Sequence, residues 1–182
     1  RSLAAIASAA NPAHCEGFIV GDPGFDQAEF GNIESLKALI SETTAAIVIE
    51  PVQGEGGINV ASRKFLKAVR DLCDSNDILL MFDEVQCGIA RTGSLYAYEQ
   101  LGVSPDLLAS AKGLGGGFPI GACLAVEKVA VALAPGSHGS TFGGNPLATA
   151  VGNAVLDELI DDTFLINVRD MGTYFKKELE LL

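Results

Sequence analysis

Ile78-Leu79-Leu80-Met81-Phe82 is an unbroken apolar run, and it ends in Asp83-Glu84-Val85-Gln86. A run this short, rich in large aliphatic side chains and bounded by polar residues, reads as a strand buried on both faces. It delivers an acid to its carboxyl end. Upstream, residues 45–51 (Ala-Ala-Ile-Val-Ile-Glu-Pro) repeat the pattern, a buried strand stopped by Pro51. Between the two lie a glycine-rich loop, Gln53-Gly54-Glu55-Gly56-Gly57, and a helix that Ser62 caps and that runs to about Ser75. Its apolar positions Phe65, Leu66, Val69, Leu72 and Cys73 keep helical spacing on one face. Strand, helix and strand in that order predict a parallel crossover, hence an α/β fold with a mostly parallel sheet and flanking helices. Chemistry in such sheets gathers beyond the carboxyl ends of the strands. Glu50, Glu55, Asp83 and Gln86 all fall at or just past such ends.

Further along, residues 107–111 read as another short buried segment, and it leads to Lys112. Ala111-Lys112-Gly113-Leu114-Gly115-Gly116-Gly117-Phe118-Pro119-Ile120-Gly121 surrounds that lysine with nearly side-chain-free backbone. The composition predicts little to pack against and much room beside the amine. Ile120 to Val126 reads as a strand. Asn145-Pro146 opens a helix to about Ile160, with Asn as N-cap and Pro at the first helical position. Leu147, Val151, Val155 and Leu159 form its expected buried stripe. After Asp161-Asp162 a last helix is expected, with Phe164, Val168, Met171, Phe175 and Leu179 near one face.

The 182 residues suffice for one domain with a real core, and 48% hydrophobic against 19% charged residues is a globular balance. A net charge of −11 repels phosphate backbones and argues against nucleic-acid binding. No apolar run approaches the ~20 residues of a bilayer span, and no signal peptide is visible. Cys15, Cys73, Cys87 and Cys123 show no framework spacing; Cys73 and Cys123 sit in apolar surroundings that predict buried thiols. With only His14 and His138, a metal centre is not expected. A reducing cytoplasm fits this cysteine usage.

A lysine in an open loop and an acid at a strand end are the two groups a pyridoxal phosphate enzyme needs most. The amine forms the Schiff base, and the acid keeps the pyridinium nitrogen protonated. The plain alternatives are a solvated surface lysine and a turn-capping aspartate. An unpaired buried carboxylate is costly, so the apolar run before Asp83 favours a cationic partner. Glu84 is expected to turn away and make structural hydrogen bonds.

The pieces Glu50-Pro51-Val52-Gln53-Gly54-Glu55-Gly56-Gly57, Phe82-Asp83-Glu84-Val85-Gln86-Cys87-Gly88, Arg91-Thr92-Gly93, the Lys112 loop and Gly139-Ser140-Thr141-Phe142-Gly143-Gly144-Asn145-Pro146 together resemble the class III, ornithine-type aminotransferases. The resemblance spans residues 45–160. Asp83 to Lys112 and Lys112 to Thr141 are each 29 positions apart, close to the family's spacing. It implies the large domain, in part, of a fold type I pyridoxal 5'-phosphate transferase. Residues 1–160 would be the later part of that domain, and 161–182 a helix leading to a small C-terminal domain.

The family's roles carry over residue by residue. Lys112 would be the catalytic amine and proton carrier, and Asp83 the partner of the ring nitrogen. Val85 would pack on one ring face, and Gln86 would bond the phenolic oxygen. Ser140 and Thr141 would reach the cofactor phosphate of a partner subunit, which implies a homodimer with shared sites. Glu55 would face the substrate, pairing with an arginine and swinging when a dicarboxylate enters. Glu50 would only brace the loop.

The glycine and Ser-Thr-Phe motifs look most like the branch that passes the terminal amine of N-acetylornithine to 2-oxoglutarate. Branches acting on ornithine, succinylornithine or 4-aminobutyrate are the near alternatives, with a glutamate semialdehyde aminomutase further off. The resemblance also implies that the chain is internal. A Gly-Thr phosphate loop and a stacking aromatic would precede Arg1, itself similar to a family arginine, and the arginine for the substrate α-carboxylate would follow Leu182. The alternative of another class is a non-catalytic remnant.

Overall fold

The computed structural model describes residues 2–9, 11–18 and 24–182; Arg1 lies outside them. The chain divides into two units, the first ending at Thr44 and the second running from Ala45 to Leu182. Among its described residues the first unit holds three short helices, α1 (Ser2–Ala9), α2 (Pro12–Cys15) and α3 (Ile33–Leu39). Asn32 caps α3, its Oδ1 accepting the Glu34 and Ser35 amides, each at 3.1 Å.

The second unit contains β1 (Ala46–Ile49), β2 (Val52–Gln53), β3 (Asn59–Val60), α4 (Arg63–Asn76), β4 (Leu79–Asp83), α5 (Tyr98–Leu101) and β5 (Leu107–Ser110). A 3₁₀ turn (Lys112–Gly115), β6 (Ala122–Ala125), α6 (Glu127–Ala130), α7 (Pro146–Leu159) and α8 (Asp162–Leu179) complete it. The sheet order is β1-β4-β5-β6. β1, β4 and β5 run parallel, and β6 returns antiparallel to β5. The mostly parallel sheet read from the sequence is therefore present.

The α4 boundaries follow from local chemistry. The Ser62 Oγ accepts the Phe65 amide at 3.1 Å, and the left-handed Asp77 closes the other end. Phe65, Leu66, Val69 and Cys73 are buried on its inner face, as their spacing predicts. β4 is the centre of the unit: Leu80 and Phe82 are fully buried.

Three expectations need correction. Residues 45–51 do not form a strand buried on both faces: β1 is the outer strand, only Ile47 is buried within it, and Val48 is 46% exposed. An outer strand has one covered flank, so a continuous apolar run does not by itself place it centrally. The α7 stripe holds only in part: Val151, Val155 and Leu159 are half-buried, with Leu159 against the core cluster. Leu147 is 62% exposed, and the buried positions are Ala148 and Gly152. A Cβ on Gly152 would stand 3.6 Å from Ile120 Cδ1 and 3.7 Å from the Leu114 carbonyl oxygen. Small residues let α7 come down onto the Lys112 turn, and that close approach decides which face is inside. On α8, for which only a shared face was expected, Met171, Phe175 and Leu179 are each more than half exposed. Cys123 is exposed, because β6 lacks cover on that face, whereas Cys73 is buried.

The loop read around Gly54 is a small hairpin, β2 against β3, with Ile58 at φ 59° in its turn. α8 is tied back by Arg169, whose NH1 donates to the Gly93 carbonyl at 2.6 Å.

Asp106, buried just before β5, joins four elements. It accepts the Leu80 amide at 2.9 Å and Arg70 at 2.8 Å, and Lys128 reaches it at 3.1 Å. Burial alone would raise its pKa, but these hydrogen bonds outweigh burial and hold it below the usual carboxylate value. A depressed acid stabilises the fold above its unfolded pKa, and that contribution fades as pH falls through the folded one. Asp106→Asn is expected to cost about 3 kcal/mol, since Arg70 is left without its buried partner. Urea unfolding checks this: the wild type should lose stability on acidification more steeply than the variant.

Candidate active site

Parallel pairing sets Ile49 opposite Phe82. The next residues, Glu50 just past β1 and Asp83 at the end of β4, therefore stand side by side, on strands ~4.8 Å apart. Just beyond them is an open cavity of about 200 Å³ lined by Glu50, Glu55, Asp83, Val85, Gln86 and Lys112. Five of these six are the catalytic, cofactor and substrate positions singled out in the sequence. Ser140 and Thr141 are not brought to this cavity. They are exposed in the segment before α7, where the Ser140 Oγ accepts the Gly143 amide at 3.1 Å.

Lys112 begins the 3₁₀ turn with φ 49°, a left-handed conformation that a side-chain-bearing residue rarely adopts. Such a geometry survives only where the surroundings impose it. Here they do: Leu114 is buried in a cluster with Ile89, Tyr96 and Leu108, supported by Ile120, Leu156 and Leu159. The room expected beside the amine is present, but Gly113 and Gly115 are contact points in the backbone. A Cβ on Gly115 would meet Ile120 at 2.8 Å, and one on Gly113 would meet Ile89 at 3.0 Å. The backbone is packed while the amine projects free. Lys112 is exposed, and its Nζ donates to Gln86 Oε1.

Asp83 Oδ1 accepts the Val85 amide at 2.9 Å, so the turn-capping role is real. Its second oxygen takes no hydrogen bond from a described residue, and Asp83 lines the cavity. Glu84 turns the other way, as expected. It is fully buried, with its carboxylate accepting the Ala97 amide at 2.6 Å and the Tyr98 amide at 2.9 Å. Burial raises its pKa despite these bonds. Glu84→Ala would strand two amides away from water at a cost of about 3 kcal/mol, and a drop in the thermal midpoint checks it. Cys87, pushed up to about 12 chiefly by burial and then by Glu84, is an inert thiol beside this network.

Two features escaped the sequence. Glu50 lines the cavity itself besides bracing the loop, where its Oε2 accepts the Gly54 amide at 3.5 Å. Burial raises its pKa; the Gly54 bond and Lys112 oppose this, while Asp83 and Glu55 add to it. Gly54 is the other: a Cβ there would stand 2.4 Å from Gln86 Cγ, so its bare α-carbon admits Gln86 to the site. The only signal for Glu50 was its place at a strand end; none marked Gly54 for this contact.

The donor set fits a pyridine ring with a carbonyl: an amine, an acid with a free oxygen, an apolar wall at Val85 and an amide at Gln86. Among the described residues no cluster could hold a metal ion, and no helix is long and apolar enough to cross a membrane.

The profile of the family "Aminotransferase class-III" matches residues 12–182. The chain is 54% identical over 182 residues to acetylornithine aminotransferase of Agrobacterium fabrum, covering all of this chain and 46% of that protein. It is 52% identical over 185 residues to the enzyme of the same name from Methanocaldococcus jannaschii, again covering 100% of the chain and 46% of the relative. Among solved structures it superposes with TM-score 0.87 and 39% identity on an ornithine aminotransferase from Toxoplasma gondii, described with partial occupancy of PLP at its active site. That match covers 93% of this chain and 40% of the other. The chain spans about half the length of the curated relatives it matches.

Proposed function

Because the chain belongs to the class-III aminotransferases, we propose that its protein transfers the terminal amino group of N-acetylornithine to 2-oxoglutarate, using pyridoxal 5'-phosphate. The observation that carries this reading is the meeting of Lys112, Asp83, Val85 and Gln86 in one cavity beyond the carboxyl ends of parallel strands. Names of relatives at 54% and 52% identity over the whole chain support the substrate.

When bound, the cofactor supplies a carbonyl that amines can join and a cationic ring that withdraws electrons from the substrate carbon. The residues do the rest. The free oxygen of Asp83 holds the proton on the ring nitrogen. Val85 provides an apolar wall, and Gln86 offers its amide to the phenolic oxygen. Lys112 Nζ, on a turn its backbone cannot leave, would carry the proton between the substrate carbon and the cofactor. Glu55, exposed at the hairpin, pairs with a cation when a basic donor enters and turns aside for a dicarboxylate.

Ser140 and Thr141, exposed and away from this cavity, suit a phosphate in a second subunit, hence a homodimer with shared sites. Residues 1–160 then belong to a large domain, with 161–182 leading to a small one. Four free cysteines suit a reducing cytoplasm.

Half-reaction spectroscopy of the holoenzyme tests the substrate. N-acetylornithine is expected to convert the cofactor's absorbance to that of its amine form faster than ornithine or 4-aminobutyrate. No change with N-acetylornithine, alongside conversion by another amine, would remove the assignment.

A further inference from the structure

Glu50 and Asp83 stand at the ends of adjacent, in-register parallel strands and line the same cavity. Glu55 from the hairpin turn is a third carboxyl there, and Lys112 the one cation among the lining residues. With all three acids ionised, the cavity would hold three negative charges against one positive. Nothing else described neutralises Glu50: no cation lies within ion-pair distance, and its one hydrogen bond, from the Gly54 amide, is a long 3.5 Å. Asp83, by contrast, accepts the Val85 amide at 2.9 Å, the shorter bond of the two.

We propose that Glu50 is a positioning residue for the amine chemistry: it takes up the proton at the paired strand ends and so leaves Asp83 as the anion facing the cofactor. Two carboxyls this close do not ionise independently. The one with the poorer hydrogen bonds accepts the proton, and here that is Glu50. The upward shift of Glu50, from burial first and then from Asp83 and Glu55, runs the same way. The inference rests on the reading of Asp83 as the acid that serves the cofactor.

Infrared titration of the holoenzyme tests it without turnover. The protonated-carboxyl band is followed from acid to neutral pH in wild type, Glu50→Gln and Asp83→Asn. Glu84, the other carboxyl that burial raises, cancels between the spectra. Wild type minus Glu50→Gln is expected to isolate one carboxyl that titrates above the ordinary glutamate range. In Asp83→Asn that carboxyl should titrate about one pH unit lower, because its like-charged neighbour is gone. A Glu50 band in the ordinary range, or one unmoved in Asp83→Asn, overturns the proposal. If Asp83→Asn does not fold, the wild-type and Glu50→Gln pair alone decides by the first criterion. A failed half-reaction in protein showing the raised band would sink the aminotransferase reading and leave the charge division standing.

Discussion

Lys112→Ala is expected to abolish transamination, with kcat falling about 10⁴-fold or more, since one amine serves as both cofactor anchor and proton carrier. The variant should still fold. Lys112 is exposed, and among the described residues its side chain bonds Gln86 alone. The turn beneath it is seated by Leu114, Ile89 and Ile120, none of which changes. Cofactor should remain associated without a covalent link, so dialysis would remove it faster than from wild type. Steady-state rates and near-visible absorbance check both halves. Wild-type-like rates would exclude the mechanism.

Asp83→Ala is the second large effect: weaker cofactor retention and about 10³-fold slower proton abstraction, because the charge that stabilises the electron-poor ring is gone. Alanine also removes the bond to the Val85 amide, so Asp83→Asn is the sharper variant. It keeps an acceptor for Val85 and deletes only the charge. The expected pattern is near-normal melting of Asp83→Asn with the same loss of rate as alanine. A mild kinetic effect in both would mean that the strand-end acid does not touch the ring.

Much of this site was legible because its residues sit in short motifs with local causes. An apolar run followed by Asp83 makes a strand delivering an acid, whatever lies elsewhere. Ser62 and Asn145 announce their helices through side-chain bonds only three residues long. The misreadings share one cause. Leu147 has helical periodicity, but periodicity names a face without naming its neighbour. Gly113 and Gly115 look like empty space in a sequence, and become contacts only when Ile89 and Ile120 are folded against them.

Strand, helix and turn identities, the order of the motifs and the types of group available for chemistry follow from neighbours along the chain. Hydrogen bonding and side-chain alternation act over a few residues. The pairing of Glu50 with Asp83, the outer position of β1, the inner face of α7 and the strained seat of Lys112 belong to the folded state alone. Each depends on strand register or on side chains far apart in sequence, and no local pattern encodes which distant surface will arrive.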